Sequence, residues 1–295
     1  MPVIHDAGEL ASLPPLAAMP YPNGVLLCTP DQFDIVDVKN DFMTGQVGQV
    51  DRTRAHEQWD GVQRAFLDAG MFVETIHAAP GLEDMVFCAN QTFVGLDPKG
   101  LKIGIEGRMK HESRRREVPH FVRHLQRAGY QMRALTTPAK PFEGSGDLLW
   151  HPGRRCIWAG YGQRTSQHAF AEISDLFDAP VIALELADRR FYHLDTCLCL
   201  IDERTALLYP AGLTTAGREL VAQQFEVVIE VDAEEAGNAM ACNATACLGQ
   251  TIILQRGAPQ TAAALRSHGF EVTEVDTGEF MKSGGSVFCL KQFLF

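Results

Sequence analysis

Residues 280–290 read Phe280-Met281-Lys282-Ser283-Gly284-Gly285-Ser286-Val287-Phe288-Cys289-Leu290. A polar, glycine-rich turn runs into a short apolar stretch, read as a strand over 286–290, with one cysteine just inside it. Upstream lies a helical pattern over 261–268, stopped by Gly269, and an alternating strand over 270–275. This last unit lacks one strand. The apolar run Val25-Leu26-Leu27-Cys28, near the other end of the chain, can supply it and close a circle.

Working outward, the same order of elements recurs. A helix over 52–69, with Trp59, Val62, Ala65 and Phe66 on one face and Gly70 as its stop, precedes strands at 71–76, 85–88 and 92–96. A helix over 113–128, stopped by Gly129, precedes strands at 130–135, 147–150 and 156–159. A third helix over 167–177 precedes 181–184, 197–201 and 206–209, and a fourth over 216–224 precedes 225–231, 239–246 and 251–254. Five units of a helix plus three short strands, at a period of about 45 to 60 residues, point to a closed array such as a propeller. A doubly wound sheet is the competitor, but it requires helix and strand to alternate one for one. The expected architecture is α/β, a single domain over 1–295, with residues 1–22 as a loosely packed, proline-rich lead-in and 31–51 as a structured loop.

Bulk properties narrow the function. The chain has 295 residues and 46% hydrophobic content, enough for a sizeable core. A net charge of −11 argues against nucleic acid or an anionic membrane as partner. The run Arg114-Arg115-Arg116 reads as the solvated face of a helix. No apolar run approaches a membrane span, and residues 1–20 lack the features of a signal peptide. Eight cysteines without a secretory signal imply free thiols in a reducing cytoplasm. Their spacing does not match a structural zinc site, so neither metal nor cofactor is expected.

The informative polar residues fall in the turns before or between the last two strands of four units. They are Asp84 and Asn90, then Glu143-Gly144-Ser145-Gly146-Asp147, then His193-Leu194-Asp195, then Lys282 to Gly285 with Cys289. Around a pseudo-fivefold axis, Asn90, Glu143, His193, Asp195 and Cys289 would converge on one small pocket. Singly, each has an ordinary structural explanation: a core thiol, a hydrogen-bonded histidine, a turn-capping carboxylate. Together they form a chemical set. A cysteine thiolate is a nucleophile, and a nearby histidine or cationic substrate favours it. On a strand, His193-x-Asp195 would put both side chains on one face. Two carboxylates suit a planar cation such as a guanidinium. Cys289 would attack the guanidinium carbon, while His193 would protonate the departing amine and then activate water.

Four stretches now carry a resemblance: 84–90, Glu143 to Asp147, His193 to Asp195, and 284–290. The chain resembles the guanidine-modifying (pentein, or amidinotransferase) superfamily, which includes arginine deiminase, dimethylarginine dimethylaminohydrolase, glycine amidinotransferase and arginine dihydrolase. The resemblance implies a five-bladed α/β propeller. It implies Cys289 as nucleophile of a covalent amidino intermediate, His193 as general acid/base, and Glu143 and Asp195 gripping the guanidinium. It also implies that Arg114, followed by Glu117, binds the substrate α-carboxylate. Ser145 stands where the family carries a second glycine. Asn90 stands where deiminase-type members carry aspartate, and Asn40 lies in an early segment, 33–40, that is similar to the arginine dihydrolase branch. An amide can meet a ureido oxygen as well as a guanidinium N–H. The implied reaction converts arginine to ornithine, ammonia and carbon dioxide. The alternatives are hydrolysis of dimethylarginine and deimination to citrulline. An amidinotransferase, a non-catalytic binding propeller and a cysteine enzyme for another substrate rank lower. The expected partner is a small guanidino substrate, with homo-oligomerisation open.

Overall fold

The computed structural model describes residues 1–137 and 140–295. It contains five small sheets, each built on a three-stranded core. In chain order the first blade combines Lys291–Leu294, Gly24–Cys28 and Phe72–Ile76. The second combines Thr92–Leu96, Lys102–Glu106 and Gln131–Arg133. The third has Leu148–Trp150, Ile157–Tyr161 and Val181–Glu185; the fourth, Leu198–Leu200, Thr205–Leu208 and Val227–Glu230; the fifth, Thr245–Cys247, Thr251–Gln255 and Glu271–Val275. In every blade the first two strands are antiparallel and the second and third are parallel. The parallel pair needs a crossover, and a helical segment supplies it each time. The expected circle does close: Leu27 pairs with Lys291 and Gly24 with Leu294.

Amphipathic spacing explains the crossover helices. Arg52–Asp68 is capped by the Asp51 side chain, which accepts the Arg54 N–H at 3.0 Å. Its inward stripe, Ala55, Trp59, Val62, Ala65 and Phe66, is buried, and Gly70 at φ +80° ends it. The core is divided among the blades, with the inner strands packed on one another and the helices outside.

Several expectations require correction. The units straddle the blades, because the strand after each helix pairs with the strand before it. Lys102–Glu106 is a strand that was not anticipated. The stretches 85–88 and 286–290 are turns rather than strands, and in place of the strand expected over 239–246 there is a shorter one at Thr245–Cys247. These turns are enclosed by blades on all sides, so they are as apolar as buried strands and carry no distinguishing period. The helix expected over 113–128 divides into Glu112–Arg115 and Val118–Arg127. Pro119, in the first turn of the second helix, cannot donate to the preceding turn. Residues 1–22 are mostly exposed but anchored. Val3–Ile4 adds to the third blade in parallel with Val181 and Ile182, and Ile4, Leu10 and Met19 are buried. Among the described residues no helix is long and apolar enough to cross a membrane.

Candidate active site

Immediately before each innermost strand the chain makes a tight turn, and the five turns are hydrogen-bonded into a ring. Ala89 N–H donates to the Cys289 carbonyl (3.2 Å), and Ser145 N–H donates to the Ala89 carbonyl (2.7 Å). Leu194 N–H donates to Asp147 Oδ1 (3.0 Å), Asn243 Nδ2 donates to the Asp195 carbonyl (2.9 Å), and Phe288 N–H donates to the Asn243 carbonyl (3.0 Å). This ring lies where the polar residues were expected to converge. The cleft above it is lined by Lys39, Asn40, Asp84, Asn90, Arg114, Arg164, Tyr192, His193 and Cys289, among others.

Cys289 sits in a helical turn, in which Leu290 N–H reaches the Ser286 carbonyl at 3.2 Å. Its Sγ is 3.2 Å from Asp195 Oδ2 and 3.3 Å from Asn243 Nδ2. Burial, then the Asp195 charge and hydrogen bond, push the thiol well above its usual range. Burial likewise raises Asp195 to about 7, against the lowering effect of the Cys289 hydrogen bond and of Lys291. Cys289 thus rests as a thiol, donating to Asp195 Oδ2. Asp195 Oδ1 finds no partner among the described residues.

His193 and Asp195 do not share a strand face. A 3-10 turn at Leu194–Thr196 sends them apart, His193 to Glu143 and Asp195 to Cys289. His193 Nε2 lies 2.7 Å from Glu143 Oε2, which also accepts from Arg164 Nη1 at 3.2 Å, while Glu143 Oε1 accepts the Lys110 N–H at 2.8 Å. Burial would raise the Glu143 carboxyl, but His193, Arg164 and Arg114 together hold it well below the carboxylate range. Glu143 Oε2 fixes Nε2, so His193 Nδ1 is the nitrogen left to exchange protons. Asp147, which holds Leu194, is raised to about 7 by burial.

Arg114 is buried rather than part of a solvated face; Arg115 and Arg116 are the exposed pair. Each nitrogen of its guanidinium already donates to protein: to Glu117 (3.1 Å), to Asn90 Oδ1 (2.8 Å), and to the Asp84 and Phe87 carbonyls. Because arginine can only donate, Asn90 Oδ1 must face it, so Asn90 Nδ2 faces the other way, and it has no partner among the described residues. Asn40 caps a turn through Oδ1, which accepts from Phe42 and Met43, and its Nδ2 donates to the Ser283 carbonyl at 2.9 Å.

Four contributors escaped the sequence reading. Asn243 completes the fifth blade's share of the ring, and the one repeat unit without a polar turn residue in the sequence was its signal. Arg164 stacks on Tyr192 (4.6 Å) and donates to Glu143 and to the Lys39 carbonyl. Lys39 pairs with Asp84 (3.1 Å) and Glu83 (3.1 Å) at the cleft. Among the described residues no group of His, Cys, Asp and Glu could hold a metal ion.

Comparison with known proteins agrees with this geometry. The chain is 33% identical over 270 residues to the bifunctional arginine dihydrolase/ornithine cyclodeaminase AgrE of Nostoc, covering 90% of this chain but 37% of that protein. It therefore spans just over a third of that bifunctional relative. It is 38% identical over 240 residues to the N(G),N(G)-dimethylarginine dimethylaminohydrolase of Mycobacterium tuberculosis, covering 81% and 76% of the two chains. The substrate-bound N-terminal domain of ArgZ, a cyanobacterial arginine dihydrolase, superposes with a TM-score of 0.86 at 31% identity, covering 92% and 97%. A variant of that domain has been solved covalently bound to a reaction intermediate. The fold is thus the pentein α/β propeller. The family model for N,N dimethylarginine dimethylhydrolase, eukaryotic, matches residues 29–295, and the chain belongs to that family of guanidine-hydrolysing enzymes.

Proposed function

We propose that this protein hydrolyses the C–N bonds of an arginine-like guanidine through a covalent Cys289 intermediate, and that its reaction is of the arginine dihydrolase type. The observation that carries the reading is one cleft lined by Cys289, His193 and Asn90 with its unpartnered amide, with Asp195 hydrogen-bonded behind the cysteine and Glu143 behind the histidine. A guanidinium entering beside Asp195 brings the positive charge that the buried thiol lacks, so the proton leaves Cys289 as substrate binds. The thiolate attacks the guanidinium carbon. His193 donates a proton to the departing ammonia, then takes one from the water that attacks the thiouronium. Arg164, Lys39 and Asp84 suit the zwitterionic end of an amino acid, whereas Arg114 is tied up in holding Asn90.

Asn90 favours two hydrolyses over one. Its free Nδ2 is a donor where a carboxylate would be an acceptor, and a donor can hold a ureido oxygen in place for a second attack. Arginine and two waters then give ornithine, two ammonia and carbon dioxide. Dimethylarginine hydrolysis is the second reading, favoured by the family and by the mycobacterial relative. Incubation with arginine, dimethylarginine, agmatine and citrulline, with products identified by mass spectrometry, separates the two. Ornithine without citrulline from arginine is expected. Accumulating citrulline rejects the dihydrolase reading, and no turnover of any guanidine rejects the class.

A further inference from the structure

Lys291 lies two residues beyond the nucleophile, at the start of the strand that closes the propeller. Its side chain is fully buried, and its Nζ has no hydrogen-bond partner among the described residues. It points between rings, 2.9 Å from the centroid of Phe288 and 3.9 Å from that of Phe293. A buried ammonium without an acceptor costs several kcal/mol, so an apolar side chain would be the ordinary choice here. A second orphan sits nearby: Asp195 Oδ1, also buried and also without a partner. The ionisable groups coupled to Lys291 through their charge are Asp195 from the fourth turn, Cys199 from the fourth inner strand, Cys247 from the fifth, and Cys289 from its own turn; Cys88 of the second turn also feels its charge. Asp195 is the only carboxylate in that set. Burial lowers Lys291 itself to about 7, and Asp195 opposes that effect.

We infer that Lys291 is a positioning residue, a buried positive charge beneath the site that supports the anionic forms of Asp195 and Cys289. The inference rests on the proposed role of Cys289. Glu143 and His193 shape the site from the cleft side, and Arg114 anchors Asn90 there. Lys291 does not line the cleft; it acts from within the core, between Phe288 and Phe293, where no solvent screens it. The aromatic faces of Phe288 and Phe293 make its charge tolerable without supplying an acceptor that would neutralise its field.

The test reads Cys289 rather than turnover, so it stands apart from the substrate question. Alkylation of Cys289 by iodoacetamide is followed against pH in wild type, Lys291→Met and Lys291→Gln, with melting temperatures alongside. The expected result is an alkylation profile moved to higher pH in both variants, with about a tenfold loss of rate at pH 7. The shift should persist when Asp195→Asn is added, because Lys291 acts on the thiolate directly, and a shift that vanishes there overturns the inference. A profile that stays in place in either folded variant overturns the inference, whatever happens to the melting temperature. If both variants fail to fold, ε-13C-lysine labelling of the wild-type protein decides. Capture of Cys289 by a haloacetamidine should move the Lys291 resonance, and an unmoved resonance overturns the inference.

Discussion

Asn243 holds Cys289 at two points. Its Oδ1 accepts the N–H groups of Ser286 (2.9 Å) and Cys289 (3.3 Å), and its Nδ2 lies 3.3 Å from the Cys289 sulfur. One amide therefore fixes both the backbone of the nucleophile turn and the environment of its thiol. Asn243→Ala should leave two buried N–H groups without an acceptor and lower stability by about 1–3 kcal/mol. It should also slow the reaction by about a hundredfold through loss of the turn. Denaturant unfolding and kcat measurements check both parts.

The Asp195–Cys289 pair gives a pH dependence of stability with a definite sign. Burial raises the Asp195 carboxyl from its usual value to about 7, so between roughly pH 4 and 7 the folded state binds more protons there than the unfolded state. This contribution falls as pH rises through that window. Asp195→Asn removes it. The variant should therefore gain thermal stability relative to wild type as pH rises from 4 to 8, while losing activity. Melting curves at matched pH values test this; a melting temperature of the variant that falls relative to wild type as pH rises would contradict it.

Asn90→Asp keeps an oxygen for Arg114 Nη1 but replaces the free amide donor with a second acceptor. The proposed reading predicts a firmer grip on the guanidinium and a weaker one on the ureido product. Citrulline should then appear in the medium from arginine, detectable by mass spectrometry, where wild type releases ornithine.

Gly146 leaves no room for a side chain. A Cβ there would lie 2.4 Å from Asn90 Nδ2 and 3.3 Å from the His193 ring. Asn90 cannot retreat, because Arg114 holds its other end. Gly146→Ala should cut kcat/KM by about a hundredfold or more while changing the melting temperature by only a few degrees. Steady-state kinetics and calorimetry provide the check.

Cys289→Ser should abolish turnover without unfolding the protein. A hydroxyl fits between Asp195 and Asn243, but its proton is far harder to remove. Retained activity would contradict the nucleophile assignment.

The repeat was legible because amphipathic helices such as Arg52–Asp68 and alternating strands such as Glu271–Val275 announce their periods. The turns were not. Ser286 to Leu290 is helical, yet Val287, Phe288 and Leu290 are all buried against different neighbours, so their spacing mimics a core strand. The same enclosure hid the turn carrying Asn243 within 239–246. Glu143, His193, Asp195 and Cys289 stood out as polar groups flanking apolar strands. Which carboxylate meets which partner did not, because that depends on the 3-10 turn after His193. Arg114 was misjudged as exposed because its two arginine neighbours are, and only the break at Pro119 brings its guanidinium inward with Glu117.

The strand pair that closes the propeller, Lys291–Leu294 on Gly24–Cys28, joins residues farther apart in sequence than any other strand pair described. Closing it carries the largest loop-entropy cost of the five blades, so it should zip late in folding and open early under stress. The nucleophile turn is tethered directly to that seam. Reactivity of the Cys289 thiol is therefore a built-in reporter of ring integrity: partial opening would disassemble the chemistry before the other four blades lose their structure.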